Sequence, residues 1–223
     1  VRLPSAPQSL DAALLVYFAG AVFYGSASGL VGALALLTSF EWLRAATSAR
    51  VDMTLACGLT VSFFALVLQR KAPRATWLVL LYAGIAWATL SKGPVGILLP
   101  VMLIVALCVV DRSPRFLLGL RPLRGFVCVA VVVGAWYGLA AMQGGADFVH
   151  KQLLDENVYR FLGSKGATGG HRHTPLYLAA MLALGLLPWT PFLPWLAKDL
   201  WHERRSMDAR DPRLAAVLWM FIV

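Results

Sequence analysis

The sequence predicts an all-α polytopic membrane protein with about seven transmembrane helices and part of an eighth. Of its 223 residues, 59% are hydrophobic and 14% are charged, and the mean hydropathy is +0.70. Soluble domains carry roughly 25% charged residues. Long apolar runs in a bilayer must satisfy their own backbone hydrogen bonds, which helices do. We expect residues 1–223 to form a single transmembrane domain. We also expect an internal fragment of a longer chain, because Val1 is not a start methionine and the last apolar run is short.

Apolar runs separated by polar connections define the predicted spans. They are Leu10–Tyr24, Leu30–Leu43, Met53–Leu68, Thr76–Leu90, Val95–Val110, Gly125–Met142 and Leu176–Ala197, with an eighth run beginning at Leu214. The nine residues before the first run are predicted to form a loop. Pro188, Pro191 and Pro194 predict a kink or break near the end of the seventh run. The three cysteines lie in apolar runs, and we expect free, buried thiols.

The basic residues predict the orientation of these spans. Twelve of the 20 lysines and arginines lie in the connections that follow the third, fifth and seventh runs. Such connections are typically cytoplasmic. The net charge of +9 is therefore explained by basic residues that flank membrane helices, rather than by binding of nucleic acid. The second of these connections has room for a short interfacial helix. Arg50, Asp52, Lys92 and the polar stretch 144–175 are then predicted to share the extracytoplasmic side.

The first candidate position is the mouth of the third span, where Arg50 and Asp52 lie in TSARVDMTLA. One interpretation is structural: Thr47 or Ser48 caps the helix, Asp52 favours its positive end, and Arg50 reaches the membrane surface. The other is functional, because an ionisable group at the rim of a span is a candidate for binding a polar substrate. The residues alone leave both interpretations open.

Lys92 lies in the sequence SKGP between the fourth and fifth runs. Pro94 suits the first turn of a helix, and Ser91 is a candidate cap. Backbone N–H groups at such a helix start, together with a lysine, form an anion site that suits phosphate. The structural alternative is a lysine that extends to the membrane surface beside a tight turn.

The polar stretch 144–175 is longer than a connection needs, and long loops usually carry function. Glu156 and Arg160 have i, i+4 spacing on a predicted short amphipathic helix that lies on the membrane. The alternative is a surface ion pair of little energetic value. His171 and His173 could bind metal or phosphate or relay a proton, although two ligands do not make a metal site, or they are solvated loop residues.

Five short motifs occur in a defined order along the chain. They are R-x-D-M at Arg50, S-K-G-P-x-G at Ser91, E-N-x-x-R-F-L-G at Glu156, H-R-H-x-P at His171 and LLPWTPFLPW at Leu186. This order resembles the bacterial membrane glycosyltransferases of GT-C type that use polyprenyl-phosphate sugars. That group includes the aminoarabinose transferase of lipid A and relatives of the protein O-mannosyltransferases.

The resemblance implies a multi-pass protein of the bacterial inner membrane with its active site on the extracytoplasmic side. The implied reaction is an inverting sugar transfer from a polyprenyl-phosphate donor to lipid A, a protein or another glycan. By position, Asp52 is the second acidic residue near the reaction centre, and Lys92 and Arg160 meet the donor phosphate. The remaining residues assigned to substrate binding and cavity shape are Arg50, Glu156, His171 and His173. The main catalytic carboxylate of such enzymes is expected upstream of Val1.

Two further points follow from the residues and the resemblance. Some relatives carry a metal near the site, and a divalent metal is therefore left open here. No cofactor is assigned.

The alternative function is a transporter or flippase of an anionic lipid-linked substrate. A transporter should place ionisable groups near the bilayer midplane on broken helices. The span centres here are nearly free of charge, which favours the transferase.

Overall fold

The computed structural model describes residues 5–48, 51–111, 115–148, 175–203 and 211–222, and the regular elements within these ranges are helices. In chain order they are α1 (Ser5–Tyr24), α2 (Ser26–Thr38), α3 (Phe40–Thr47), α4 (Val51–Lys71), α5 (Ala75–Lys92), α6 (Val95–Asp111), α7 (Arg115–Gly119), α8 (Pro122–Phe148), α9 (Pro175–Gly185), α10 (Leu193–Glu203) and α11 (Pro212–Ile222). A 3-10 turn, Thr190–Phe192, precedes α10. The prediction of an all-α protein is confirmed.

The core lies where α4, α5, α6, α8 and α11 meet. Its buried members are aliphatic side chains from all five helices and the α7–α8 junction: Ala65, Leu66, Val67, Leu81, Ile85, Ala86, Leu103, Ile104, Leu107, Leu120, Val129 and Ala215. Most other apolar side chains face outward on the helix surfaces, as expected of a chain that meets lipid on many sides.

Close packing of α4 on α5 depends on two glycines. A Cβ atom on Gly84 would lie 2.7 Å from the backbone nitrogen of Ser62 and 2.8 Å from the carbonyl oxygen of Gly58. Gly96 plays the same part between α5 and α6, since its Cβ would lie 2.3 Å from the carbonyl carbon of Ala88. Small residues let helix backbones approach in this way, as membrane helix pairs commonly do. The three helices therefore form one tightly packed unit.

The described parts of the first and second basic connections lie together at one end of the bundle, which we call the basic end. There Arg70 Nη2 donates to both carboxylate oxygens of Asp111 at 3.0 Å, and its guanidinium lies 5.2 Å from the Phe116 ring centre. Lys71 Nζ donates to the carbonyl oxygen of Val22 at 2.9 Å. These contacts join the ends of α1, α4 and α6 to α7, the short helix predicted for the second basic connection.

The number of spans is only partly as predicted. Three described helices are long and apolar enough to cross a membrane, namely α1, α4 and residues 122–145 of α8, or up to five if each of two bent pairs counts as one span. The second predicted span is bent by 63° between α2 and α3, and the seventh by 117° between residues 179–185 and 190–203. The latter bend confirms the break predicted from Pro188, Pro191 and Pro194. The shorter α6 is apolar over 17 residues.

The two bends are joined to each other. The backbone N–H of Phe40 donates to the carbonyl oxygen of Leu187 at 2.9 Å, and Trp189 Nε1 donates to the Thr38 hydroxyl at 2.8 Å. We refer to these contacts as the joint between the bends. The bend after α2 thus has a partner far along the sequence, which an apolar run alone does not reveal.

Two predicted boundaries and the exposure of one cysteine differ from the structure. α1 begins at Ser5, so part of the predicted N-terminal loop is helical. α8 continues to Phe148 with a break at Gly145, whose φ is 65°, so the polar stretch predicted from residue 144 begins as helix. Cys57 is buried as expected, whereas Cys128 is exposed on α8. Residues 149–174, with their predicted amphipathic helix, lie outside the described part.

Candidate active site

Asp52 and Lys92 meet at the end of the bundle opposite the basic end. Asp52 lies in the first turn of α4 and Lys92 in the last turn of α5. Lys92 Nζ lies 2.6 Å from Asp52 Oδ1, although 40 residues separate the two in sequence. A carboxylate at a helix N-terminus and an ammonium at a C-terminus each interact favourably with the helix dipole. The predicted convergence of these two residues is therefore observed.

The pair is about half exposed in the described structure. Each side chain is 46% exposed. Ion pairs at this exposure contribute about 0–1 kcal/mol to stability, so separating the two side chains costs little. The pair is consequently poorly suited to holding the fold together and well suited to exchanging partners with an anionic ligand.

The SKGP turn that carries Lys92 ends α5 abruptly. Gly93 has a φ of 68°, a left-handed conformation that glycine adopts without steric penalty, and its N–H donates to the carbonyl oxygen of Thr89. The N–H groups of Gly96 and Ile97 donate to the carbonyl oxygens of Gly93 and Pro94. The predicted anion site of free backbone N–H groups is therefore wrong for these two donors. Of the predicted anion site, the Lys92 side chain remains as a candidate, and its Nζ contacts Asp52.

The hydroxyl groups near this turn and before α4 form hydrogen bonds other than the predicted helix caps. Ser91 donates to the Trp87 carbonyl oxygen at 2.8 Å, one turn back in its own helix, and so does not cap α6. Ser48 donates to the Arg44 carbonyl oxygen at 2.6 Å and Thr47 to that of Leu43, so both hydroxyls bond to α3 rather than capping α4.

One polar contact near Asp52 was missed by the sequence analysis. The Thr54 hydroxyl donates to Gln8 Oε1 at 2.8 Å and joins the first turns of α1 and α4. Gln8 lies in the segment that was predicted to be a loop, so its neighbour could not be foreseen. Predicting this contact would have required a helix that begins at Ser5. α1 therefore contributes a polar side chain to the same end of the bundle as Asp52 and Lys92.

The other predicted site residues are not part of this geometry. Arg50, Glu156, Arg160, His171 and His173 lie outside the described residues. Among the residues that the structure does describe, no group of three or more histidine, cysteine, aspartate or glutamate side chains is arranged to hold a metal ion. The described part of the site thus consists of the carboxylate–ammonium pair and its polar neighbours.

Apolar helices, a basic end and a carboxylate–ammonium pair at the opposite end together define a multi-pass helical membrane protein with a polar site at one end. Residues 1–140 match the family model of the dolichyl-phosphate-mannose-protein mannosyltransferases. The chain belongs to this family. The resemblance drawn from the five motifs is thereby confirmed.

Curated relatives narrow the comparison. The undecaprenyl phosphate-alpha-4-amino-4-deoxy-L-arabinose arabinosyl transferase of Pectobacterium atrosepticum is 26% identical over 225 residues, covering 99% of this chain and 39% of the relative. A protein of the same name, numbered 1, from Sodalis glossinidius is 31% identical over 206 residues, covering 91% of this chain and 33% of the relative. The chain thus spans about two fifths or less of the length of these relatives.

Solved structures share the fold. The crystal structure of ArnT from Cupriavidus metallidurans bound to undecaprenyl phosphate has a TM-score of 0.81 and 27% identity, covering 98% of this chain and 39% of that one. The structure of the same protein in the apo state has a TM-score of 0.78 and 26% identity, with coverage of 98% and 38%. The helix arrangement is therefore shared over nearly the whole of this chain.

Proposed function

We propose that residues 1–223 form a single transmembrane domain of an inner-membrane glycosyltransferase. This enzyme transfers a sugar from a polyprenyl-phosphate donor to an acceptor outside the cytoplasm. The observation that carries the proposal is the meeting of Asp52 and Lys92 at the end of the bundle opposite the basic end. The names of the relatives and the undecaprenyl phosphate bound to ArnT support a lipid-phosphate donor.

The orientation follows from charge. If the basic end faces the cytoplasm, the Asp52–Lys92 pair faces the extracytoplasmic surface. A donor whose phosphate lies at the membrane surface and whose polyprenyl chain lies in the bilayer reaches such a site without leaving the membrane. The acceptor arrives from the extracytoplasmic side; lipid A, a protein and another glycan all satisfy this geometry.

Lys92 is proposed to bind the phosphate of the donor. When the bond between the sugar and the phosphate breaks, the electron pair and the negative charge stay with the departing phosphate. A fixed ammonium facing that phosphate stabilises the growing charge in the transition state. Because Lys92 is half exposed and paired with an equally exposed carboxylate, the phosphate can take the place of Asp52 at little energetic cost.

Asp52 is proposed to hold Lys92 in place before the donor binds and to face the acceptor afterwards. A carboxylate near the acceptor hydroxyl or amine can orient it or accept its proton. Attack on the anomeric carbon from the side opposite the phosphate inverts its configuration, as in other single-displacement glycosyl transfers. Arg50, Glu156, Arg160, His171 and His173 are proposed to complete the substrate-binding surface.

The decisive experiment uses Lys92 variants of the full-length protein in liposomes. With lipid A present as the acceptor, the readout is release of undecaprenyl phosphate as the sugar moves from undecaprenyl phosphate-linked 4-amino-4-deoxy-L-arabinose to lipid A. Binding of undecaprenyl phosphate alone is measured separately. Lys92→Met should slow release by about 10²–10³-fold, the usual consequence of losing one charge-stabilising donor. Lys92→Arg should retain part of the activity because it keeps the charge.

An exposed lysine on a different helix supplies the control. Lys198 lies in α10, and Lys198→Met should leave both binding and release unchanged. If Lys92→Met binds undecaprenyl phosphate and transfers sugar as the wild type does, the phosphate role of Lys92 is wrong. If the wild type moves the lipid-linked sugar across the bilayer without breaking its phosphate bond, the proposed transferase is wrong and the transporter is right.

The transporter is the less favoured alternative. α4, α5 and α6 carry charged residues only in their first or last turns: Asp52, Arg70, Lys71, Lys92 and Asp111. Transporters that move ions or charged substrates commonly bind them near the bilayer midplane. In these three packed helices the midplane holds no charged side chain, which fits a reaction at the membrane surface.

A further inference from the structure

A groove between α5 and α8 opens on the surface of the bundle near the basic end. Its volume is about 380 Å³, and apolar side chains form most of its walls. Along α5 it extends from Ala75 to Ala86, and along α8 it extends from Arg124 to Val132. It lies at the opposite end of α5 from Lys92 and is separate from the candidate active site.

The length of the groove matches one leaflet of a bilayer. At 1.5 Å per residue, the eleven steps from Ala75 to Ala86 correspond to about 16 Å along the helix axis. This is about half of the 30 Å hydrocarbon core. The groove therefore starts at the level of the basic connections and ends near the midplane, as an acyl chain of a single leaflet does.

Two arginines stand at the mouth of the groove. Arg121 lies at the elbow between α7 and α8, and Arg124 lies in the first turn of α8. Both side chains are exposed, and within the part of the chain that the structure describes neither forms an ion pair. Two such guanidinium groups above an apolar groove are complementary in charge to a phosphate ester with a hydrocarbon tail.

The elbow itself is built in a costly conformation. Arg121 has a φ of 53°, the left-handed region that costs a non-glycine residue about 1–2 kcal/mol. The Tyr82 hydroxyl donates to the carbonyl oxygen of Leu120 at 2.9 Å and ties this elbow to α5. Gly125 makes room for the tyrosine ring, which overlaps the space that a Cβ would occupy. Strained residues of this kind tend to occur at ligand sites.

We propose that this groove binds an anionic glycerophospholipid from the leaflet at the basic end. The lipid phosphate contacts Arg121 and Arg124, and one acyl chain lies along Tyr82, Ala83 and Cys128. Basic pockets between transmembrane helices on the cytoplasmic side are suited to such headgroups. The site does not depend on the proposed sugar transfer, because it lies at the other end of α5 and involves neither Asp52 nor Lys92.

The test measures lipid binding to the full-length protein by native mass spectrometry from detergent. Phosphatidylglycerol and phosphatidylcholine with identical acyl chains are the probes. Each arginine near the headgroup contributes about five-fold in affinity, so the wild type should prefer phosphatidylglycerol by roughly 30-fold. The double variant Arg121→Asn, Arg124→Gln should lose this preference. Asparagine is chosen at 121 because it tolerates the left-handed backbone.

Two further variants locate the lipid in the groove. Ala83 is exposed and lines the groove, so Ala83→Phe fills the acyl position while leaving both arginines in place. It should weaken binding of both lipids. Leu80→Phe adds an aromatic ring elsewhere on α5 and should change neither affinity. Phosphatidylglycerol should also slow alkylation of the exposed Cys128 thiol by a lipid-soluble maleimide.

Three outcomes overturn the proposal. The first is the absence of a phosphatidylglycerol preference in the wild type. The second is a preference that survives loss of both arginines, because the charge would then act from elsewhere. The third is that equimolar undecaprenyl phosphate displaces phosphatidylglycerol and that its own binding is weakened by the same variants. The groove would then be a binding site for a polyprenyl carrier. The control Lys198→Asn should leave the preference intact.

Discussion

The packing of α4 against α5 can be tested with a pair of glycine substitutions. In Gly84→Ala the new Cβ would lie 2.7 Å from the nitrogen of Ser62 and 2.8 Å from the oxygen of Gly58, whereas ordinary contact begins at 3.4 Å. Both neighbours are backbone atoms, so the helices must separate by about 0.6–0.7 Å. Overpacking of this kind costs roughly 1–3 kcal/mol.

A second glycine, which has no close neighbour, serves as a control for the effect of helix propensity on stability. Gly134 lies in α8, a Cβ added there would have no atom within 4 Å, and its φ is not positive. Alanine is favoured over glycine in helices by about 1 kcal/mol at either site. The difference between Gly84→Ala and Gly134→Ala therefore isolates the packing cost of roughly 1–3 kcal/mol.

The assay is thermal unfolding of the full-length protein in detergent, followed by size-exclusion chromatography of the surviving fraction. Gly84→Ala should unfold several degrees below Gly134→Ala, which should equal or exceed the wild type. The same separation of α4 from α5 displaces Lys92 from Asp52, so sugar transfer should also fall in Gly84→Ala. Equal unfolding temperatures for the two variants would refute the close approach of the two helices.

Three further predictions concern the basic end and the joint between the bends. Asp111→Ala removes both carboxylate contacts of the buried Arg70 and should lower the free energy of unfolding by about 3–5 kcal/mol. The double variant Arg70→Met, Asp111→Leu leaves no unpaired charge and should be nearly neutral. Chemical denaturation of the wild type and both variants measures the difference. Hydrogen bonding to Arg213 holds the pKa of the Asp211 carboxyl below its ordinary value of 3.8. The stabilisation by this carboxylate is complete above that value and disappears as the pH falls through the lowered pKa, so the unfolding temperature of Asp211→Asn should vary less than that of the wild type between about pH 5 and pH 3. Thr38→Val removes the hydroxyl that accepts from Trp189 and should destabilise the protein by about 1 kcal/mol, with the tryptophan fluorescence shifted by the change around the indole.

The convergence of Asp52 and Lys92 could be predicted because it depends on chain direction alone. Spans that alternate in direction must place the start of one and the end of the next on the same side, and the positions of basic residues mark the sides. The contact itself could not be predicted. It depends on Gly58 and Gly84 lying opposite each other, and the spacing of glycines within one helix carries no information about the partner helix.

The bend after α2 illustrates a different limit of sequence patterns. Residues 30–43 are apolar enough to predict one straight span, yet the helix stops at Thr38. The hydroxyls of Thr38 and Ser39 bond to carbonyl oxygens one turn back, at 2.6 Å each. Such bonding tends to bend helices, but it becomes decisive only with the contacts from Leu187 and Trp189. The local sequence therefore indicates a tendency to bend, but it does not identify Leu187 and Trp189 as the residues that contact the bend.

The joint also sets an order of events during synthesis. Thr38 and Trp189 are 151 residues apart, and at about 5–20 residues per second the ribosome needs roughly 8–30 s to add that length of chain. Throughout that interval α2 and α3 are present in the nascent protein without their later partner. The first bend therefore gains these contacts only after Trp189 has been added, and in a polypeptide interrupted before Leu187 the groups of Thr38 and Phe40 that form the joint would lack these partners.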